Sequence, residues 1–260
     1  MDILRAENLC ISFGGLAAVK NVSFTIPQNK IISLIGPNGA GKTTIFNIIT
    51  GFYQADSGTV ELCGEVINHI SPERRIALGM ARTFQNVRLF RQMTVLENVM
   101  IGNRRHIHYN VADGLLHTKK WKQGEETSKA ACCEILERIG LLDEKDELCS
   151  NLPYGKQKKL EIARALASQP RLLLLDEPAA GLNPQETQDL SAFIRALPSE
   201  SLSVLLIEHD MSMVMNISDY IYVVNQGEQL AEGLPEHVKS NQDVIDAYIG
   251  RGGIRKLAES

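Results

Sequence analysis

A glycine-rich loop at residues 36–44 directly follows the apolar run of residues 31–35. The loop has the pattern G-x-x-x-x-G-K-T-T, and we expect its backbone N–H groups to surround anionic phosphate oxygens. Lys42 brings a positive charge to the terminal phosphates, and the hydroxyl of Thr43 is suited to bind Mg²⁺. A helix that begins near Gly41 directs its positive end at the same phosphates. The pattern predicts a site for a nucleoside triphosphate such as ATP, formed by Gly36, Pro37, Asn38, Gly39, Ala40, Gly41, Lys42, Thr43 and Thr44.

Two carboxylates follow a second apolar run, residues 172–175. Asp176, at the predicted end of a buried strand, is expected to hold Mg²⁺. Glu177 is then placed to take a proton from an attacking water as a general base. An ordinary acidic turn is the alternative, and the phosphate loop upstream disfavours it.

Two further polar residues follow predicted strands and are candidates for the same site. His209 follows residues 205–207, and we expect it to reach the γ-phosphate because parallel strands end at one edge of a sheet. Gln85 follows residues 80–84, and its amide could join the Mg²⁺ and water shell. The alternatives are a capping histidine and an ordinary surface glutamine.

A glycine also stands near the start of an amphipathic helix predicted over residues 158–168. Tyr154, Gly155 and Lys156 precede that helix, and free N–H groups at a helix start form an anion site. Because this segment is distant in sequence from the phosphate loop, we expect it to contact a nucleotide held by another subunit.

Composition narrows the possible classes of protein. The chain has 260 residues and a net charge of −4, which disfavours nucleic acid as a partner. Five cysteines, an odd number without metal-ligand spacing, indicate reduced thiols in a cytosolic protein. The longest apolar runs, such as residues 172–175, are far shorter than the roughly 20 residues of a membrane-spanning helix. We therefore expect a chain that does not cross a bilayer itself.

The order of elements predicts an α/β protein with a helical insertion. Strands over residues 3–13, 19–26 and 31–35 are expected to join one mixed sheet. We expect a single domain over residues 1–250, in which a core of about 1–85 and 170–250 encloses a helical subdomain of about 86–169. Residues 251–260 are predicted to be a loose tail. Further strands are predicted over 59–63, 171–175, 203–207, 220–225 and 228–232, and helices beginning near 72, 95, 184 and 242.

In this order, the elements resemble the nucleotide-binding subunits of ABC transporters over residues 4–250. The resemblance implies a P-loop NTPase of the ABC-ATPase fold, with a mixed-sheet RecA-like core, an inserted α-helical subdomain and an antiparallel β subdomain. It implies that Gln85 is the Q-loop residue and that residues 152–156 and 180–183 are the signature segment and the D-loop. It also implies that Phe13 stacks on adenine, with an ordinary core phenylalanine as the alternative.

The resemblance also implies partners. Two ATPase subunits close head-to-tail over two ATP molecules, each held between the phosphate loop of one and the signature of the other. The second subunit is either another copy or a LivF-like sister ATPase. Closure acts on two transmembrane permease subunits. A periplasmic or extracellular solute-binding protein delivers the solute to them. The chain is expected to lie peripherally on the cytoplasmic face of the inner or plasma membrane.

Several segments narrow the resemblance to ATPases of the LivG type, which serve branched-chain amino-acid importers. These segments are residues 82–90, 151–155, 160–164, 177–184 and 243–250, together with a polar insertion at 103–125. The chain departs from the common signature Leu-Ser-Gly-Gly-Gln at Pro153, Tyr154 and Lys156, and Asn183 replaces the more common D-loop aspartate. An ATPase of a urea or short-chain-amide importer and a soluble non-transport ABC ATPase remain the alternatives.

Overall fold

The computed structural model describes residues 1–106, 109, 113, 115–199 and 201–249. These residues form two compact units: the first joins Met1–Arg82 to the segment that begins at Arg171, and the second is Thr83–Pro170. The predicted loose tail, residues 251–260, and part of the polar insertion lie outside the described residues.

The first unit contains two β-sheets. Its strands are β1 (Asp2–Phe13), β2 (Leu16–Pro27), β3 (Ile31–Ile35), β4 (Ser57–Leu62), β5 (Glu65–Val66), β6 (Met80–Arg82), β7 (Leu172–Asp176), β8 (Ser203–Ile207), β9 (Tyr220–Asn225) and β10 (Glu228–Gly233). One sheet has the order β2-β1-β4-β5, and the other has the order β10-β9-β3-β8-β7-β6. All pairs of the four-stranded sheet are antiparallel.

The prediction that the first three strands share one mixed sheet was wrong. Only β3 belongs to the six-stranded sheet, whereas β1 and β2 pair with each other around the turn at Gly14 and Gly15. A tight hairpin turn favours such local antiparallel pairing, and the second edge of β1 then pairs with β4. The antiparallel β subdomain implied by the family resemblance is therefore built from β1, β2, β4 and β5.

The six-stranded sheet is mixed, because β10 is antiparallel to β9 while the other pairs are parallel. Every residue of β3, β7 and β8 is buried, which explains their continuous apolar runs. The register aligns Asp176 with Ile207, and β3 runs parallel on the other side of β8. The carboxyl ends of these three strands consequently lie at one edge of the sheet.

Nine α-helices can be followed in the described residues. They are α1 (Lys42–Thr50), α2 (Pro72–Ala77), α3 (Val95–Gly102), α4 (Lys119–Arg138), α5 (Tyr154–Leu166), α6 (Pro184–Arg195), α7 (Met211–Ile217), α8 (Pro235–Ser240) and α9 (Gln242–Ile249). Capping boxes begin α3 at Thr94 and α6 at Asn183, at the positions that the sequence predicts. The short helices α7 and α8 were not predicted, since two turns or fewer show little hydrophobic periodicity.

The core of the first unit lies on both faces of the six-stranded sheet. On β9, Tyr222 and Val224 pack with β1, β2, β4 and α1, while Ile221 and Val223 pack with Val214 of α7 and with residues of α8 and α9. This alternation follows from the two-residue period of a strand. The phosphate loop therefore connects a strand and a helix that are both anchored in the core.

In the second unit, α3 packs closely against α5. A Cβ atom on Gly102 would lie 1.9 Å from the carbonyl oxygen of Arg164, so the contact requires glycine. The helix α5 begins at Tyr154, four residues before the predicted start at residue 158. Pro153 precedes it with a φ of −54°, and Gly155 consequently lies in the first helical turn.

Two expectations from composition concern the membrane and the cysteines. In the part of the chain that the structure describes, none of the helices has both the length and the apolar character of a transmembrane span. The five cysteines, all within that part, carry free thiols.

Arg75 holds the carboxyl end of the helix that follows the phosphate loop. Its buried guanidinium donates to the carbonyl oxygens of Ile48 and Ile49, at 2.6 Å each, and to those of Ile67 and Ile70, at 2.6 and 2.8 Å. Burial lowers the pKa of Arg75, but the side chain remains a cation beside the negative end of α1. Arg75 thus links α1 to the segment that precedes α2.

We expect Arg75→Ala to lower the free energy of unfolding by about 3 kcal/mol, because several buried carbonyl groups would lose their donor. Arg74→Ala is the matched control, since Arg74 is exposed and carries the same charge. Its loss should stay within about 0.5 kcal/mol. Urea titrations followed by circular dichroism measure both variants, and equal losses would show that the buried contacts contribute nothing specific.

Candidate functional site

The loop at residues 36–41 is shaped by glycines that approach other backbone segments. A Cβ atom on Gly36 would lie 2.0 Å from the carbonyl oxygen of Val224, and one on Gly41 would lie 2.7 Å from that of Ala18. Gly41 has a φ of 103° and precedes α1, and among the described residues no side chain caps this helix. The first amides of α1 therefore lack a side-chain acceptor, which suits them to an anion.

Lys42 lies beneath this loop and is only 6% exposed. Its Nζ donates to the carbonyl oxygens of Gly36 at 2.6 Å and Pro37 at 3.0 Å. Burial lowers the pKa of Lys42, and the nearby carboxylates of Glu177 and Asp176 oppose that shift. The ammonium group is thus hydrogen-bonded to the loop and experiences the charge of the two carboxylates that the sequence predicts for the site.

Asp176 ends β7 and is paired with an arginine whose side chain is only 10% exposed. Its Oδ2 accepts a hydrogen bond from Nη2 of Arg82 at 2.7 Å. The Nη1 atom of Arg82 donates to Oδ1 of Asn47 at 2.8 Å and to Oγ1 of Thr50 at 3.2 Å. Arg82 compensates the buried carboxylate and connects β7 to the helix α1.

Glu177 and His209 meet at the ends of β7 and β8. The Nδ1 atom of His209 lies 3.8 Å from Oε2 of Glu177 and 3.7 Å from Oε2 of Glu208. The side chain of His209 is 57% exposed, whereas that of Glu177 is largely shielded. Glu177 has a φ of 46°, which non-glycine residues seldom adopt and which is typical of strained functional positions.

Phe13 lies at the end of β1 and is 45% exposed, so it is not an ordinary core phenylalanine. Its ring packs edge-on against that of Tyr53, with 5.2 Å between the ring centroids. One aromatic ring thus supports the other, which leaves part of the Phe13 ring open to solvent. The exposed surface could stack on a planar base.

The remaining candidates belong to the second unit. Gln85 is exposed, and its backbone carbonyl oxygen accepts a hydrogen bond from Nζ of the buried Lys158 at 2.7 Å. At the signature, Tyr154 is exposed, Gly155 is buried, and Lys156 forms an ion pair with Glu144 that lowers the pKa of that glutamate. The charge of Lys156 is therefore already paired within the second unit.

The phosphate loop, Asp176, Glu177 and His209 were predicted from the sequence to share one site, and all of them lie in the first unit. Two of their neighbours were not predicted. Arg82 ends the apolar strand β6, and Glu208 stands between an apolar run and His209. A charged residue at the end of a buried strand was the available signal in both cases. The same signal had identified Asp176.

Comparison with known families places this geometry in context. The family model described as ABC transporter matches residues 19–180, which include the phosphate loop, Gln85, Asp176 and Glu177.

The chain belongs to the ABC transporter family. It is an ATPase that binds nucleotide through the ATP-binding cassette of this family. A second model, described as branched-chain amino acid ATP-binding cassette transporter, matches residues 228–254.

Curated relatives cover nearly the whole chain. It is 47% identical to the high-affinity branched-chain amino acid transport ATP-binding protein BraF of Pseudomonas aeruginosa and 48% identical to the LivG protein of the same description from Salmonella typhimurium. Each alignment covers 95% of this chain and 98% of the relative. The sequence-based resemblance to LivG-type members of the ABC family is thus confirmed.

Solved structures confirm the predicted ABC-ATPase fold. A crystal structure of the ADP conformation of an ATP-binding cassette from an ABC transporter matches with a TM-score of 0.84 and 35% identity. A nucleotide-free ATP-binding cassette matches with a TM-score of 0.82 and 34% identity. Each comparison covers 96% of this chain and 100% of the solved chain.

We expect Lys42→Ala to weaken ATP binding about 10- to 100-fold, because a charge-assisted contact to phosphate contributes roughly 1.5–3 kcal/mol. Lys239→Ala is the matched control, since Lys239 is an exposed residue of α8. Equilibrium binding of labelled ATP measures both variants. Equal affinities of Lys42→Ala and the unmodified chain would remove Lys42 from the phosphate site.

Proposed function

We propose that this chain is the ATP-hydrolysing subunit of an importer for branched-chain amino acids. The observation that carries the proposal is the 47–48% identity, over nearly complete chains, to ATP-binding proteins of high-affinity branched-chain amino acid transport in two bacteria. The second family model supports the same substrate class, because its description names branched-chain amino acids and its match includes β10, α8 and α9.

The proposed assembly contains further subunits. Two transmembrane permease subunits form the path for the solute, and a solute-binding protein delivers it from outside. A second ATPase, either another copy or a LivF-like sister, completes the motor on the cytoplasmic face of the membrane. The descriptions of the relatives as ATP-binding proteins of a transport system support this division of labour.

In the proposed ATP complex, the loop amides and Lys42 bind the phosphates, and Phe13 stacks on the adenine. The donor set also fits Mg²⁺, since the hydroxyl of Thr43 and the carboxylate of Asp176 are hard oxygen ligands. Bound Mg²⁺ would neutralise phosphate charge during the reaction. Arg82 holds the Asp176 carboxylate in place through its hydrogen bond to Oδ2 and links β7 to α1 through Asn47.

Hydrolysis in this proposal depends on Glu177 as general base. Its carboxylate accepts the proton of the attacking water, and His209 hydrogen-bonds the γ-phosphate and orients that water. The short distance between the two side chains supports a shared task. Gln85 is proposed to join the Mg²⁺ and water shell, and Tyr154, Gly155 and Lys156 to contact the nucleotide of the second subunit.

We expect Glu177→Gln to lower the turnover of ATP at least 100-fold, because the amide cannot accept a proton. ATP should still bind, and a closed dimer should accumulate in size-exclusion chromatography with ATP. Glu65→Gln is the charge-matched control at an exposed position of β5. Phosphate release in the assembled transporter measures turnover, and normal hydrolysis by Glu177→Gln would exclude this residue as the base.

Reconstitution in vesicles with the native membrane subunits and solute-binding protein tests the proposed substrate. We expect ATP-dependent uptake of labelled leucine, isoleucine and valine, because the solute specificity of the assembly should follow that of the relatives. The same vesicles with Lys42→Ala should show uptake reduced to the level without ATP.

Labelled urea and a short-chain amide form the competing arm of this experiment. Uptake of urea without uptake of leucine would replace the proposed substrate while leaving the ATPase assignment intact. A chain that never co-purifies with membrane proteins from its native cells would favour a non-transport role.

A further inference from the structure

We propose that Glu208 is a positioning residue that fixes the base Glu177 and the imidazole of His209 in one arrangement. This inference rests on the proposed roles of Glu177 and His209. In the ATPase reaction, Glu208 would act only through its neighbours and would not itself contact the nucleotide.

A single buried carboxylate joins the two segments that carry these residues. Glu208 is 0% exposed, and its Oε1 accepts a hydrogen bond from the backbone N–H of Ala179 at 2.8 Å. Its Oε2 accepts one from the backbone N–H of His209 at 3.0 Å. Glu208 thus connects the turn after β7 to the segment after β8, and each oxygen serves one of them.

The turn that Glu208 holds contains an unfavourable backbone conformation. The φ of 46° at Glu177 is unfavourable for a residue with a side chain and persists only where the surroundings enforce it. The N–H of Glu177 donates to the carbonyl oxygen of Ile207 at 2.9 Å, and that of Ala180 donates to the carbonyl oxygen of Glu177 at 3.1 Å. Two hydrogen bonds therefore attach this turn to successive residues of the neighbouring segment. The N–H of Glu177 binds Ile207, and the N–H of Ala179 binds Glu208.

The chemistry of the site favours a carboxylate over a packing residue. Burial raises the pKa of Glu208, and hydrogen bonds from the amides of Ala179, His209 and Asp210 oppose that shift. An apolar side chain would avoid the cost of burying a charge, but it would leave these amides without their acceptor. The value of the carboxylate therefore lies in its two acceptor oxygens.

This reasoning selects Glu208→Gln as the test. Glutamine keeps the shape of the side chain but offers one acceptor oxygen, while its NH₂ group would face the second N–H. One of the two segments must therefore lose its hydrogen bond. Glu232→Gln is the matched control, because Glu232 is exposed on β10 and undergoes the same change of charge.

Hydrogen exchange of the full-length chain, followed by mass spectrometry, reads the positioning directly. For Glu208→Gln we expect at least one of the segments 177–182 and 208–213 to exchange about tenfold faster, with other segments of the first unit unchanged. In the assembled transporter, kcat should fall about tenfold while KM for ATP stays within about twofold. Glu232→Gln should match the unmodified chain in both measurements.

Two results would overturn the proposal. Unchanged exchange in both segments would show that Glu208 positions neither of them, and faster exchange throughout the first unit with a lowered Tm would show a purely structural role. If Glu208→Gln does not fold, Glu208→Asp decides, because it retains both oxygens on a shorter side chain. Glu208→Asp should speed hydrogen exchange in the same segments and lower kcat. Exchange and kcat equal to those of the unmodified chain would contradict the proposal.

Parallel measurements on Glu177→Gln and His209→Ala separate this proposal from the proposed function. If these two variants hydrolyse ATP normally, the roles assigned to Glu177 and His209 are wrong, whatever happens at Glu208. If they are inactive while Glu208→Gln shows unchanged exchange and unchanged kcat, only the positioning role of Glu208 is wrong.

Discussion

The parallel pairing of β3, β8 and β7 is the constraint on which the site in the first unit depends. The three strands are buried on both faces, so their register is fixed by packing on each side of the sheet. Their carboxyl ends bring the phosphate loop, Glu208 and Asp176 to one edge. A slip of one residue between β7 and β8 would turn Asp176 to the other face and separate Glu177 from His209.

Charge balance is the second determinant of this edge. Two cations, the buried Lys42 and the largely shielded Arg82, stand near the carboxylates of Asp176 and Glu177, and each cation has hydrogen-bond acceptors within the first unit. Buried charges are tolerated only with such partners. A triphosphate adds several negative charges to this edge, which explains why the loop offers uncapped helix amides in addition to Lys42.

The features that sequence predicted are those encoded by local spacing. The strand, loop and helix around Lys42 and the starts of the helices after Thr94 and Asn183 depend on residues within a few positions of one another. The sheet membership of β1 and β2, the Arg82–Asp176 pair and the Glu208–Ala179 bond join residues far apart in the chain. No periodicity or motif carries such information, because these contacts arise only when the whole sheet assembles.

The two departures from the common ABC pattern, at Asn183 and Pro153, affect the starts of their helices differently. Asn183 caps α6 through its side-chain oxygen, a task that aspartate performs equally well, so the exchange removes a negative charge and preserves the helix start. Pro153 precedes α5 without any side-chain cap among the described residues, whereas serine at this position would offer its own oxygen to the first-turn amides. Proline therefore lacks the hydroxyl that serine would bring and leaves those amides without an internal competitor. A helix start of this kind can still receive an anion, with the exposed Tyr154 beside it.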